Sequence, residues 1–182
     1  MKRFIQWLRR PKSKTAETIE SFVVAIGLAL IIRATIAEAR FIPSESMLPT
    51  LQVGDRLLVE KISYHFRMPV RGDIVVFDPP FQSSFGGHNA FIKRIIGTPK
   101  DTIEVKDGKV ILNGQALPES YIQEAPAYTM AKTTVPDDQF FVMGDNRNNS
   151  VDSHIWGFLP KKNIIGRAFV RFWPIPRMGL PG

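Results

Sequence analysis

The sequence contains no cysteine, which excludes disulfides and thiolate metal sites and leaves the redox compartment undetermined. Histidine is scarce. The three present, His65, His88 and His154, do not fall in HExxH or any other metal spacing, so neither a metal nor another cofactor is expected. Acidic residues are missing from the start of the chain, where Lys2, Arg3, Arg9, Arg10, Lys12 and Lys14 all precede the first acid, Glu17. Those six account for most of the net charge of +7 from 24 basic and 17 acidic side chains, and the remainder is nearly neutral. A basic surface for a phosphate backbone would sit on the folded domain with aromatics interleaved. Here the charge is a terminal cluster, and no nucleic-acid partner is expected. Internal repeats and low-complexity segments are also missing.

What is present suits one compact domain with an appendage: 182 residues, 44% hydrophobic and 23% charged. The stretch Ser21 to Ile32 carries no charge. With Ile19 before it and Ala34 to Ala37 behind Arg33 it offers about 19 mostly apolar positions, roughly 28 Å as a helix, against a hydrocarbon core of about 30 Å. The basic leader would keep the N-terminus in the cytoplasm. The same leader and apolar core, followed by Ala37-Glu38-Ala39, equally describe a cleavable secretory signal peptide. Pattern alone leaves a retained anchor and a removed signal peptide both open.

Beyond residue 40 the pattern becomes extended. LLVEKISY (57–64), DIVVF (73–77), AFIKRIIG (90–97), TIEVK (102–106), KVILN (109–113), QFFVMG (139–144) and AFVRFW (168–173) are short β-branched and aromatic runs bounded by Gly, Pro, Asp or Asn. They predict a mainly β domain. Asp107-Gly108 predicts a tight hairpin turn and Asn113-Gly114 the turn that closes it. Residues 78–89 and 117–136 read as irregular excursions. Fourteen prolines and thirteen glycines favour a coiled, irregular sheet or partly open barrel over a regular sandwich.

Chemistry concentrates in three places. In AFIKRIIG, side-chain alternation sets Lys93 between Phe91 and Ile95 on one face and Arg94 between Ile92 and Ile96 on the other. A lysine among hydrophobes sheds its proton readily and becomes a competent general base; an exposed edge strand with both cations reaching water is the other reading. The segment IPSESMLPTL (42–51) supplies two serines without an obvious histidine partner, since His154 and Asp152 share one short loop. A serine needs a base, and Ser-His-Asp and Ser-Lys arrangements both serve. GDNRNNSVDSH (144–154) fails as a calcium loop, because Arg147, Ser150 and Trp156 fall where ligands or a glycine belong; its short polar side chains suit a loop that orients others.

These segments together resemble the bacterial type I signal peptidases, in order and spacing: basic leader, membrane segment, PSESMLPTL (43–51), RGDIVVF (71–77), FIKRIIGTPKD (91–101), GDNRNNSVDS (144–153) and WPIPR (173–177). The resemblance implies a basic cytoplasmic leader over 1–16, one N-terminal transmembrane helix as a retained anchor over 17–39, and a signal-peptidase-like β catalytic domain over 40–182. That domain would lie on the extracytoplasmic side of the membrane. By position Ser46 becomes the nucleophile and Lys93 its general base. Ser44 joins the backbone N–H of Ser46 in an oxyanion hole, Ser150 hydrogen-bonds Lys93 with Asp152 behind it, and Asp145 pairs with Arg94. The implied reaction is cleavage of preprotein signal peptides after small residues, at Ala-x-Ala sites, by a monomer at the lipid bilayer near the export machinery. Ile42, Met47 and Ile92 are the expected pocket lining, and Phe81, Phe85, Trp173 and Met178 the expected bilayer contacts. Three positions depart from the family pattern. Phe91 stands where tyrosine is common, Glu45 lies between the serines, and His154 occupies a place often held by arginine, which weakens the case for an ion pair with Asp152.

Overall fold

The structure, a computed structural model, describes residues 13–81 and 90–181. The expected leader lies largely outside the described residues, as do Phe85 and His88. The chain divides into two units, Met1–Ile36 and Ala37–Gly182.

In the first unit, helix α1 spans Lys14–Thr35. Ser13 caps it: its hydroxyl accepts from the Ala16 N–H at 3.2 Å, and Glu17 in the first turn complements the helix dipole. Phe22, Val23, Val24, Ile26, Leu28 and Leu30 are all more than half exposed. No helix among the described residues is long and apolar enough to cross a membrane, so the expected transmembrane helix over 17–39 is not found as such. Its C-terminal end is corrected. The helix stops at Thr35, and Ala37–Phe41 forms strand β1, because these residues pair antiparallel with Arg56–Glu60, β2.

The second unit is mainly β. Its larger sheet contains β1, β2, β3 (Ile74–Phe77), β4 (Phe91–Gly97), β9 (Gln139–Met143), β10 (Leu159–Pro160) and β11 (Ile164–Trp173). Their order is β1-β2-β11-β3-β4-β9-β10, antiparallel throughout. Register shifts in β11 and between β4 and β9 insert bulges, which bend the strands and increase local twist. A smaller sheet, in order β7-β6-β5-β8, is built from β5 (Thr102–Lys106), β6 (Lys109–Leu112), β7 (Gln115–Ala116) and β8 (Met130–Thr134). The β5–β6 turn has Asp107 at φ 50° and Gly108 at φ 70°, the left-handed pair that a two-residue hairpin requires.

Period-two burial explains the larger sheet. All of β3 is buried, with Ile74 and Val76 facing a cluster around Met47, Leu51, Leu57 and Val59, while Val75 and Phe77 face another around Ile95, Phe140 and Val142. A third cluster joins Ile96 and Met143 to Ile103, Val105 and Val110 of the small sheet. The central position of β4, between β3 and β9, excludes the edge-strand reading of Lys93 and Arg94. Each of these residues is only 4% exposed. The expected strand at 57–64 ends at Glu60, and Ser63–Phe66 instead forms a single helical turn, α2. Strand β8 interrupts the stretch read as irregular.

Candidate active site

The serine loop begins where β1 ends. Its two ends are tied together, the Ile42 N–H donating to the Asp55 carbonyl at 2.9 Å and the Gly54 N–H to the Ile42 carbonyl at 3.0 Å. Met47 and Leu51, fully buried, plug the loop into the core. Between these anchors Ser46 is held nearly buried, 7% exposed, and Ser44 stays at the surface.

Lys93 meets this loop from the middle of β4. Its ammonium donates to Ser46 Oγ at 2.7 Å and to the Ile92 carbonyl at 3.0 Å. Ser44 Oγ lies 3.3 Å from Ser46 Oγ. Burial lowers the Lys93 pKa to about 8, against Asp152 and Asp145, whose negative charge pulls it up. The lysine is therefore covered enough to be partly neutral near physiological pH and close enough to take a proton from Ser46.

Arg94, on the opposite face, grips Asp145 through Nε at 2.8 Å and Nη2 at 2.7 Å, a bidentate pair with both partners buried. Thr50 adds its hydroxyl to the same carboxylate, tying the serine loop to the 144–154 loop. Tyr121 stacks its ring 4.1 Å from the Arg94 guanidinium and donates to Glu119, which in turn holds the fully covered Arg147 by two hydrogen bonds. A charge isolated in this interior would be costly; paired and hydrogen-bonded, each cation is retained.

The 144–154 loop closes against Ser46. The Asn146 N–H donates to the Ser46 carbonyl at 3.0 Å, and its side chain donates to the Glu45 carbonyl at 3.2 Å. Gly144 makes this approach sterically possible. A Cβ there would lie 2.3 Å from Ser150 Oγ and 2.4 Å from the Ser46 carbonyl oxygen. Asp152, fully buried, accepts from the Gly144 N–H at 2.8 Å and contacts His154 Nδ1 at 2.7 Å, while the His154 ring stacks on Tyr128 at 4.1 Å.

The family described as signal peptidase, peptidase S26, matches residues 15–173. A signal peptidase I of Leptolyngbya laminosa is 56% identical over 92% of this chain and 84% of that protein. A probable signal peptidase I of Synechocystis is 55% identical over 93% of this chain and 78% of that protein. The chain belongs to the signal peptidase family, peptidase S26. It is accordingly a peptide-bond hydrolase. A probable thylakoidal processing peptidase of Arabidopsis thaliana is more distant, 43% identical over 92% of this chain and 47% of that protein.

Within this family frame, Ser44, Ser46, Lys93, Arg94, Asp145, Ser150 and Asp152 gather in one region, as their sequence positions alone do not reveal. One expectation needs correction. Ser150 does not hydrogen-bond Lys93; its hydroxyl is buried without a partner among the described residues, pressed over Gly144 while Lys93 turns toward Ser46. Ile42, Met47 and Ile92 lie together in one cluster under the serine loop, with Met47 fully buried and Ile42 2% exposed. His154 Nδ1 lies 2.7 Å from Asp152 Oδ1, so the histidine contacts Asp152 where arginine is common. Glu45 is exposed, the placement that keeps its charge off Lys93. Gly144, Thr50, Tyr121 and Arg147 escaped sequence reasoning. Only Gly144, sitting between a strand and a polar loop, carried a local signal.

Proposed function

We propose that the chain is a membrane-associated serine endopeptidase that removes signal peptides from preproteins after small residues, with Ser46 as nucleophile and Lys93 as general base. The observation behind this reading is the 2.7 Å contact between the buried Lys93 amine and Ser46 Oγ. In the active form Lys93 is neutral and takes the Ser46 proton as Oγ attacks the scissile carbonyl. The Ser46 N–H and the Ser44 hydroxyl then stabilise the oxyanion. Lys93 passes the proton to the departing amine, and water, activated by the same lysine, releases the acyl group.

Arg94 and Asp145 act as positioning residues, locking β4 to the loop that backs Ser46. Asp152 sets the electrostatic background of Lys93 and holds the Gly144 backbone. The apolar segment in α1 is read as the membrane attachment, with the β unit on the extracytoplasmic side. A Ser-His-Asp hydrolase is the less favoured alternative, since His154 is engaged by Asp152 and Tyr128 while Ser46 is engaged by Lys93. The deciding experiment is cleavage of a preprotein with an Ala-x-Ala site by wild type, Ser46→Ala and Lys93→Met. Loss of cleavage in both variants is expected, and activity surviving in either one refutes the dyad.

A further inference from the structure

Strand β7 does not lead straight into β8. Residues 117–128 leave the small sheet and make a series of polar and aromatic contacts with the 144–154 loop and with Arg94. Glu119, its side chain 5% exposed, holds the fully covered Arg147 by two hydrogen bonds, at 2.9 and 2.6 Å. Arg147 in turn donates Nε to the Gly144 carbonyl at 3.0 Å, and Gly144 packs against the Ser46 carbonyl with no room for a Cβ between them. Tyr121 opens a second route. Its ring covers the Arg94 guanidinium, which grips Asp145, and Asp145 accepts from Thr50 of the serine loop. The Tyr121 hydroxyl donates to Glu119 at 2.8 Å and joins the two routes. Farther along, the Asn148 side chain accepts from the Ala127 N–H at 2.8 Å and donates to the Ala125 carbonyl at 3.1 Å, while the Tyr128 ring stacks on His154.

A buried ion pair contributes little net stability, since desolvation offsets the attraction, yet a two-pronged guanidinium–carboxylate contact fixes one geometry. Here the partners come from different sheets. Glu119 belongs to the excursion of the small sheet, and Arg147 to the loop that follows β9 of the larger one. Among the described residues no hydrogen bond joins 117–128 to the side chain of Ser46 or Lys93, so any influence on the reaction passes through the loop and Arg94. We propose that Glu119 and Tyr121 are positioning residues for peptide-bond cleavage, clasping the 144–154 loop so that it holds the serine loop, at Ser46 and Thr50, in the register that sets Ser46 Oγ against Lys93. The inference rests on the proposed Ser46/Lys93 chemistry and makes the small sheet a working part of it. A slackened clasp shifts the nucleophile, and a misplacement of about 1 Å there costs about 100-fold in rate. The loss falls on kcat, because the clasp governs where the attacking oxygen stands.

The test is steady-state cleavage of a preprotein with an Ala-x-Ala site by the full-length enzyme in detergent or vesicles, with kcat and KM separated. Glu119→Gln keeps the side-chain shape without the charge, and Tyr121→Leu keeps the ion pair but takes the ring off Arg94. Each is expected to lower kcat at least about tenfold with KM within about twofold of wild type. Tyr121→Phe returns the ring without the hydroxyl and should recover kcat to within about threefold of wild type. Leu159→Ala is the control for mere instability. Leu159 is fully buried in a cluster that shares no residue with the clasp, so its loss should lower the urea midpoint while leaving kcat within about twofold. Should Glu119→Gln fail to fold, the comparison of Tyr121→Leu with Tyr121→Phe carries the decision. Unchanged kcat in the clasp variants, with Ser46→Ala inactive, overturns the clasp alone, as does an equal loss of kcat in Leu159→Ala. Cleavage persisting in Ser46→Ala overturns the proposed function and the clasp with it.

Discussion

Titration of Lys93 offers the most demanding test of the proposed mechanism. The amine is held at a pKa of about 8, compared with 10.5 for a free lysine, chiefly because burial penalises the ammonium form. At pH 7 that leaves about one molecule in ten with a neutral Lys93, against about one in three thousand for an unperturbed side chain, a gain of roughly 300-fold in competent base. With a fluorogenic Ala-x-Ala peptide at subsaturating concentration, kcat/KM should rise about tenfold per pH unit from pH 6 and level off above about pH 9. Asp152→Asn removes a negative charge that pulls the pKa up, so its acidic limb should move to lower pH. Stability should follow with a definite sign. Because the folded-state pKa lies below the unfolded one, the unfolded chain binds more protons between pH 8 and 10.5, and this group makes stability rise with pH across that window. Below pH 8 both states are protonated and the burial penalty, roughly 3 kcal/mol, is fully felt. Lys93→Met should therefore be inactive yet at least as stable as wild type at pH 7 in urea denaturation, and should lose the rise in stability above pH 8. A flat kcat/KM profile from pH 6 to 9, or an Asp152→Asn limb displaced to higher pH, would sink the argument.

Other consequences of the geometry are open to direct measurement. Asp145→Ala leaves Arg94 buried without its carboxylate and should destabilise the domain by about 3–5 kcal/mol in chemical denaturation. Gly144→Ala forces apart the Ser46 carbonyl and Ser150, and displacing the nucleophile loop by about 1 Å should lower kcat about 100-fold with a smaller change in KM. His154→Ala should keep preprotein cleavage within about tenfold of wild type, whereas a catalytic histidine would lose about 10⁴-fold. Trp173→Ala and Met178→Ala, which remove two half-exposed apolar side chains, should weaken vesicle binding of the β unit; unchanged co-sedimentation would remove them from any bilayer contact.

The sequence by itself determined which chemistry was available. With no cysteine, three scattered histidines, two closely spaced serines and a lysine set among hydrophobes, Ser-His-Asp and Ser-Lys arrangements both stayed open, and only the resemblance to the signal peptidases singled out Ser46 and Lys93. Local rules also reached the Asp107-Gly108 turn and most of the long strands, because period-two burial and left-handed turn residues act within a few positions. What failed to be legible depended on partners distant in sequence. Ala37–Ala39 reads as a helical continuation and becomes part of strand β1 only because β2 pairs with it. Met130–Thr134 is half-exposed and becomes a strand only against β5. The tertiary structure alone decided that β4 is central, so that both its cations are buried. It also brought Lys93 within 2.7 Å of a serine 47 residues away, and sent Ser150 over Gly144 instead of toward Lys93. Desolvation is the physical reason: a lysine's residue type and neighbours in sequence hint at a lowered pKa, but only the packing of other segments around it removes the water that would keep it charged.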